Sequence, residues 1–206
     1  KPARMALSTL WAYGFDWKEN LAPFESISDI EKDALMNQLE RGINTLPTSS
    51  MGRLFDVVAS LIDLRQTITY EAQAAIELEA LADYSELGYY PWRIDDDEIN
   101  VKSLIGSILE EVEDKVEAAV IAARFHNTIA QLSLGIAQRI RQEFGIDHFV
   151  LSGGAWQNQL LLERTIILLK NDGIEALTHK QTPPNDGCVA FGQALITAYR
   201  YLQDKE

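Results

Sequence analysis

The sequence predicts an α/β fold, with a mainly helical first half and a C-terminal α/β lobe. Three observations carry this expectation. Apolar residues recur every three or four positions through most of residues 1–88; the tail reads strand, helix, strand, helix; and the apolar run in "FVLSGGAWQN" at 149–158 closes on two adjacent glycines. The recurrence is the signature of amphipathic helices, and the alternating tail is that of parallel strands joined by crossover helices. A chain of 206 residues with 47% hydrophobic content can bury a substantial core, as one large domain or as two lobes sharing an interface. The expected division is a helical segment at 1–88 and an α/β lobe at 89–206.

In order along the chain, Ser28 and Asp29 open a helix whose stripe is Leu35, Leu39 and Ile43, and Pro47 ends it. Ser49 or Ser50 caps the next, with Leu54, Val57, Val58 and Leu61 on its buried face. A third runs through "TYEAQAAIELEALADY", with Glu71 in its first turn and Ile76 and Leu81 packed. The aromatic stretch 89–94 and the acidic turn 95–97 predict a hairpin leading into another helix. One long helix is expected over 115–144, closed by Gly145. A buried strand at 149–151 follows, then a helix over 160–169, a short strand at 176–178, and a last helix after "QTPPNDG".

Composition narrows the function classes. A net charge of −13 repels phosphate backbones, so no nucleic-acid partner is expected. The apolar stretches fall short of the roughly 20 residues that span a bilayer, so no membrane partner is expected and the chain reads as soluble. A lone Cys188 allows no internal disulfide and fits a reducing compartment, with cytoplasm the default expectation. The chain opens on Lys1 rather than methionine and reads as an excerpt of a longer protein.

Three clusters carry candidate chemistry. Ser152, Gly153 and Gly154 stand at the carboxyl end of a strand, where ligands collect in α/β sheets. Positive φ at both glycines would bring N–H groups toward phosphate or ribose oxygens. Asn158 adds donors and acceptors for a sugar or base; a tight turn with Asn158 merely capping the helix is the plainer alternative. Asp186, in "PPNDG", offers a carboxylate to a metal or a phosphate-bound cation, or else caps the last helix. Gly52 and Asp56, four residues apart, share one helix face that suits a ribose, against the alternative of a capped helix with a solvated aspartate. His126 reads as a packed histidine, and the scattered His126, His148 and His179 lack the spacing of a helical metal pair.

Taken together the clusters resemble the HypF carbamoyltransferase family of nickel–iron hydrogenase maturation, in its C-terminal domain. The matching stretches are Thr-Ser-Ser-x-Gly-Arg-Leu-Phe-Asp at 48–56, Tyr-Glu-x-Gln-Ala-Ala-x-x-Leu-Glu at 70–79, and Arg-Phe-His-Asn at 124–127. Ser-Gly-Gly-x-x-x-Asn at 152–158 and Pro-Pro-Asn-Asp-Gly at 183–187 complete the set. The resemblance runs over nearly the whole chain, and Cys188 departs from it, since glycine is common there in the family. It implies a fold similar to the actin, sugar-kinase and chaperone-ATPase superfamily, shared with tRNA threonylcarbamoyltransferases, in which two lobes close on a nucleotide. Residues 1–88 would then be a nucleotide-lobe segment, and the chain part of one larger catalytic domain whose N-terminal lobe is missing.

The resemblance also implies residue roles. Gly52 and Asp56 match ribose-contacting positions; Ser152, Gly153, Gly154 and Asn158 match the loop that holds the adenylate; and Asp186 matches a metal ligand. The metal's identity, iron, zinc or magnesium, stays open, because one aspartate does not select among them. The implied reaction uses carbamoyl phosphate and ATP to form carbamoyl adenylate, then transfers the carbamoyl group to the C-terminal cysteine thiol of HypE, as precursor of iron-bound cyanide. The far-apart clusters are expected to form one pocket wall, and the fragment alone is expected to be inactive. Two alternatives are a tRNA threonylcarbamoyltransferase-like enzyme, disfavoured by Val57 where lysine is common and by the acidic charge, and a non-catalytic module that docks a partner.

Overall fold

The computed structural model describes residues 1–96 and 98–203. They divide into two compact units, Lys1–Leu132 and Ser133–Glu206. The division expected between residues 88 and 89 falls inside the first.

Six helices and a hairpin make up the described residues of the first unit before its last helix: α1 (Pro2–Ala12), α2 (Ala22–Glu25), α3 (Asp29–Arg41), α4 (Met51–Leu61), α5 (Gln73–Leu81), the antiparallel pair β1 (Arg93–Asp95) and β2 (Glu98–Asn100), and α6 (Lys102–Glu113). Helix α7 (Ala118–Phe144) follows, and its residues to Leu132 belong to this unit. The hub is α4, which packs against α1, α2, α5 and α6. Every residue from Phe55 to Leu61 is buried, so this helix has no solvent face over its second half. Small side chains at Ala59 and Ser60 admit the neighbours closely, and Ser60 Oγ donates to Gln66 Oε1 at 2.6 Å while Gln66 Nε2 donates back to the Ser60 carbonyl. Phe55, absent from the predicted face, meets Phe125 edge-on with ring centroids 4.8 Å apart.

Several boundaries differ from the expectation, each for a local reason. Helix α3 is capped at Ser28, whose Oγ accepts from the Glu31 N–H, but it stops at Gly42 rather than near Pro47. Gly42 takes φ +64, and the Gly42 and Ile43 N–H groups turn back to the Leu39 and Gln38 carbonyls, which leaves Ile43 outside the helix and exposed. Helix α5 begins at Gln73, so Glu71 lies before its first turn: Gln73 Oε1 accepts from both the N–H and the hydroxyl of Thr69, and Ala72 sits at φ +60. Ile76 is 52% exposed, and the buried positions are Gln73, Ala74 and Leu78. The hairpin is shorter than 89–94 suggests, because Tyr90 is drawn elsewhere: its N–H donates to Thr128 Oγ1 at 2.8 Å and its hydroxyl to Glu111 Oε2 at 2.5 Å. Of the expected turn, Asp97 lies outside the described residues. The long helix starts at Ala118 because Lys115, at φ +57, first closes α6.

The second unit carries β3 (His148–Leu151), α8 (Gln159–Asn171), β4 (Glu175–Thr178) and α9 (Val189–Gln203). The strands pair in parallel, Val150 opposite Leu177 and Leu151 opposite Thr178, so β3, α8 and β4 form the expected crossover unit. Phe149, Leu151 and Ala176 pack with Ala137, Trp156, Leu169 and Ile174. The opposite face is open, with Val150 67% and Leu177 42% exposed, which corrects the expectation of a fully buried strand. Strand register explains it: successive side chains alternate faces, and only one face meets the helices. No described helix is long and apolar enough to cross a membrane.

His126 is fully buried on α7, its Nδ1 2.7 Å from the Ala122 carbonyl and its ring edge-on to Phe55. Burial pulls the imidazole from 6.5 down to about 4, against a smaller opposing effect of the Ala122 bond. Two predictions follow from this core. Phe55→Ala is expected to cost about 3–5 kcal/mol in urea denaturation, the usual range for an aromatic truncated in a packed core. For His126, the unfolded chain takes up a proton near 6.5 and the folded chain only near 4. Stability therefore falls as pH drops through that window, by roughly 3 kcal/mol in all, and levels off below it. Denaturation midpoints measured from pH 7 to 4 give this slope, and His126→Gln should flatten its share.

Candidate functional site

In the first unit, Gly52 lies exposed in the first turn of α4, while Asp56, one turn on, is 5% exposed. A carboxylate at the rim of an apolar helix is costly unless paired. Arg53, half exposed, supplies the partner: its Nη1 donates to Asp56 Oδ2 at 3.1 Å. The aspartate is thus neither the simple solvated residue nor a deeply sealed one, and its guanidinium partner reaches solvent. Ser50 is the helix cap by position, without a side-chain capping bond. A Cβ built on Gly52 meets nothing closer than Ser50 Oγ at 3.8 Å, so packing within the chain does not demand glycine there.

The second unit places two of the three clusters together. After Leu151 the chain passes through Ser152 to Gly153, whose φ of +106 and ψ of 162 only glycine adopts at ease. One turn of 3-10 helix follows (Gly154–Gln157), and Asn158 then caps α8, its Oδ1 accepting from the Leu161 N–H at 2.8 Å. Two corrections come from this geometry. Positive φ occurs at Gly153 and not at Gly154, because Gly154 already belongs to the 3-10 turn. The Gly153 N–H, expected to face a ligand, donates to the Pro184 carbonyl at 2.7 Å. That bond joins the glycine turn to the loop at 183–187, and Asn185 Nδ2 adds a second tie by donating to Gln157 Oε1 at 3.0 Å. The capping residue of the second loop is Asn185, whose Oδ1 accepts from the Gly187 N–H. Asp186, expected as a cap in the plainer reading, is left exposed at the head of a short 3-10 turn.

Sequence reasoning missed His179. It directly follows β4, with Nε2 2.9 Å from Ser152 Oγ and Nδ1 3.3 Å from Thr182 Oγ1. Its position one residue beyond a predicted strand end was the available signal. A structural metal site needs about four protein ligands and a catalytic one about three. Among the described residues no group of three His, Cys, Asp or Glu is placed to hold an ion. Asp186 could supply one ligand, and the described residues do not complete a site.

The 70–79 and 124–127 stretches prove architectural. Glu77 pairs with Arg65 at 2.7 Å through both carboxylate oxygens and accepts from Gln73. Arg124 bridges Glu111 and Glu86, and Asn127 Nδ2 donates to the carbonyls of Glu86 and Gly88, bracing the segment that leads to Tyr90. Two clefts of about 260 and 270 Å³ open on the first unit, one beside Asn20, Ile62 and Val116 and one beside Phe15, Leu109 and Glu113. Neither is lined by a candidate residue.

Comparison with known proteins fits this arrangement. Residues 1–193 match the family described as carbamoyltransferase, Kae1-like domain, second subdomain. The chain is 35% identical to the carbamoyltransferase HypF of Synechocystis over 98% of its own length and 28% of that protein's. It is 30% identical to a probable carbamoyltransferase HypF of Methanocaldococcus jannaschii, over 94% of this chain and 26% of that protein. Among solved structures, full-length HypF in a phosphate- and nucleotide-bound form superposes with a TM-score of 0.82 at 37% identity, covering 95% of this chain and 30% of that one. HypF of T. kodakarensis gives 0.71 at 26% identity over 98% of this chain. The chain spans little more than a quarter of the length of the first two relatives, and within that span it belongs to the HypF carbamoyltransferase family, as its Kae1-like second subdomain.

Proposed function

We propose that this chain is the part of an ATP-dependent carbamoyltransferase of hydrogenase maturation that holds carbamoyl adenylate, made from carbamoyl phosphate and ATP, while a thiol attacks it. The acceptor is the C-terminal cysteine of HypE, and the product is the precursor of iron-bound cyanide. The observation that carries the reading is the tie between the Ser152–Gly154 turn and the 183–187 loop at the carboxyl ends of β3 and β4, where α/β sheets bind ligands. Two loops fixed to each other offer a preorganised surface, which lowers the ordering cost of binding.

In this reading Ser152, Gly153 and Gly154 lie against the adenylate. With the Gly153 N–H engaged by Pro184, the turn contributes close backbone approach and the Ser152 hydroxyl rather than a pair of N–H donors. Asn158 caps α8 through its Oδ1 and, in this reading, also contacts the adenylate through its amide nitrogen. Asp56, held by Arg53 one turn into α4, accepts from ribose hydroxyls, with Gly52 giving the sugar room. Asp186 supplies one ligand to a divalent metal, iron, zinc or magnesium, whose chemistry would be to neutralise phosphate charge. The remaining ligands and the adenylate-forming step belong to segments outside this chain, so the chain alone gives no turnover. The acidic charge supports a protein acceptor over tRNA, and the lone Cys188 fits a reaction in the reducing cytoplasm.

Calorimetric titration of the full-length protein with a non-hydrolysable adenylate checks these roles. Asp56→Ala should weaken binding by about 10- to 100-fold, the scale of a charged hydrogen bond. Asn158→Ser keeps a capping oxygen for α8 but loses the amide, and should weaken binding about tenfold with little change in melting temperature. Parent-like affinity in both variants would remove these residues from the site.

A further inference from the structure

The chain has three histidines, and the structure sorts them. His126 is sealed in the core. His148 opens β3 between Asp147 and Glu175, at the opposite end of the strand from Ser152. His179 alone stands at the carboxyl end of the sheet, beside the turn that follows β3. Its Nε2 is 2.9 Å from Ser152 Oγ, and its Nδ1 is 3.3 Å from Thr182 Oγ1. A hydroxyl within hydrogen-bond reach of an imidazole, whose other nitrogen is held by a third group, is the arrangement that carries a proton to or from a reacting atom. Both Ser152 and His179 are exposed, so a ligand lying on the glycine turn meets the hydroxyl and the imidazole keeps contact with water.

We infer that Ser152 and His179 form the proton path of the transfer step, Ser152 touching the reacting thiol and His179 acting through it. The inference rests on the carbamoyl-transfer reading above. The path uses the tautomer in which Nδ1–H donates to Thr182 Oγ1 and Nε2 accepts from the Ser152 hydroxyl. The thiol sulfur bonds to the carbamoyl carbon, and the bond from that carbon to the adenylate phosphate oxygen breaks, AMP leaving with the electron pair. The thiol proton passes to Ser152 Oγ as Ser152 gives its own proton to Nε2, and the imidazolium then returns a proton to solvent. The charged and titratable groups on the surrounding segments are Lys180 next in the chain, Asp186 and Cys188 along the same loop, and Asp147, His148 and Glu175 at the far end of the two strands. His179 is a positioning residue in that it meets no reacting atom; it orients the hydroxyl and receives its proton.

The test uses full-length protein with its acceptor partner and reads two rates: carbamoyl-dependent exchange of pyrophosphate with ATP, and single-turnover transfer to the acceptor thiol. The ratio of transfer to exchange should fall about 100-fold or more in His179→Ala, within the range for lost general acid–base catalysis. The acid limb of the transfer pH profile should vanish, and added imidazole should restore part of the rate. His179→Gln, whose amide keeps a hydrogen bond to Ser152 but takes up no proton, should show the same loss. An unchanged ratio overturns the inference, as does parent-like transfer in His179→Gln, or a parallel loss of both rates with no imidazole rescue. A parent protein inactive in both assays removes the carbamoyl-transfer reading and this inference with it, and is told apart because the defect then precedes any substitution.

Discussion

The hydrogen bond from the Gly153 N–H to the Pro184 carbonyl, 2.7 Å long, is the constraint on which the candidate surface depends. It forms only because Gly153 reaches φ +106, which turns its N–H away from the path of β3 and toward the second loop. A side chain there would meet no neighbour, so the need for glycine is conformational rather than steric. Proline at 183 and 184 stiffens the segment that presents the accepting carbonyl, and a rigid acceptor costs less entropy to place. Asn185 then reaches back to Gln157, and His179 to Ser152, so three ties of different chemistry hold the two loops.

Motif spacing carried much of this to the surface of the sequence, but the assignment of atoms was not legible there. The Ser-Gly-Gly turn was expected to point its N–H groups outward, whereas one is consumed inside the protein. Spacing along the chain cannot reveal this, because the partner lies 31 residues on, in a loop whose own path depends on the fold. The same limit explains Asp186 and Asn185: both are good caps by propensity, and the choice between neighbours was made by the local turn. His179 was weighed only as a metal ligand, because its partner Ser152 follows another strand and a lone histidine after a strand has no periodic signal.

Elements with strong local signals were legible. Ser28 capping α3, the closing Gly145 of α7, and the strand–helix–strand–helix order of the tail all appear as expected. Boundaries failed where a single backbone position outweighed the apolar pattern: Gly42 stopped a helix the stripe would have continued, and Lys115, expected inside the long helix, sits at positive φ before it and delays its start to Ala118. Phe55 was overlooked because α4 is buried over most of its circumference, so a one-sided stripe was the wrong template. The motif at 124–127 shows the converse. Its residues brace Glu86, Gly88 and Glu111 and bury His126, and a shared sequence element there reflects architecture.

Hydrogen exchange by mass spectrometry on the full-length protein, with and without ATP and carbamoyl phosphate, tests the central claim most directly. If the two tied loops of the second unit hold the activated nucleotide, peptides covering 152–158 and 183–187 gain protection together when ligand is added. Protection confined to other segments, with both loops exchanging as they do without ligand, would contradict the account.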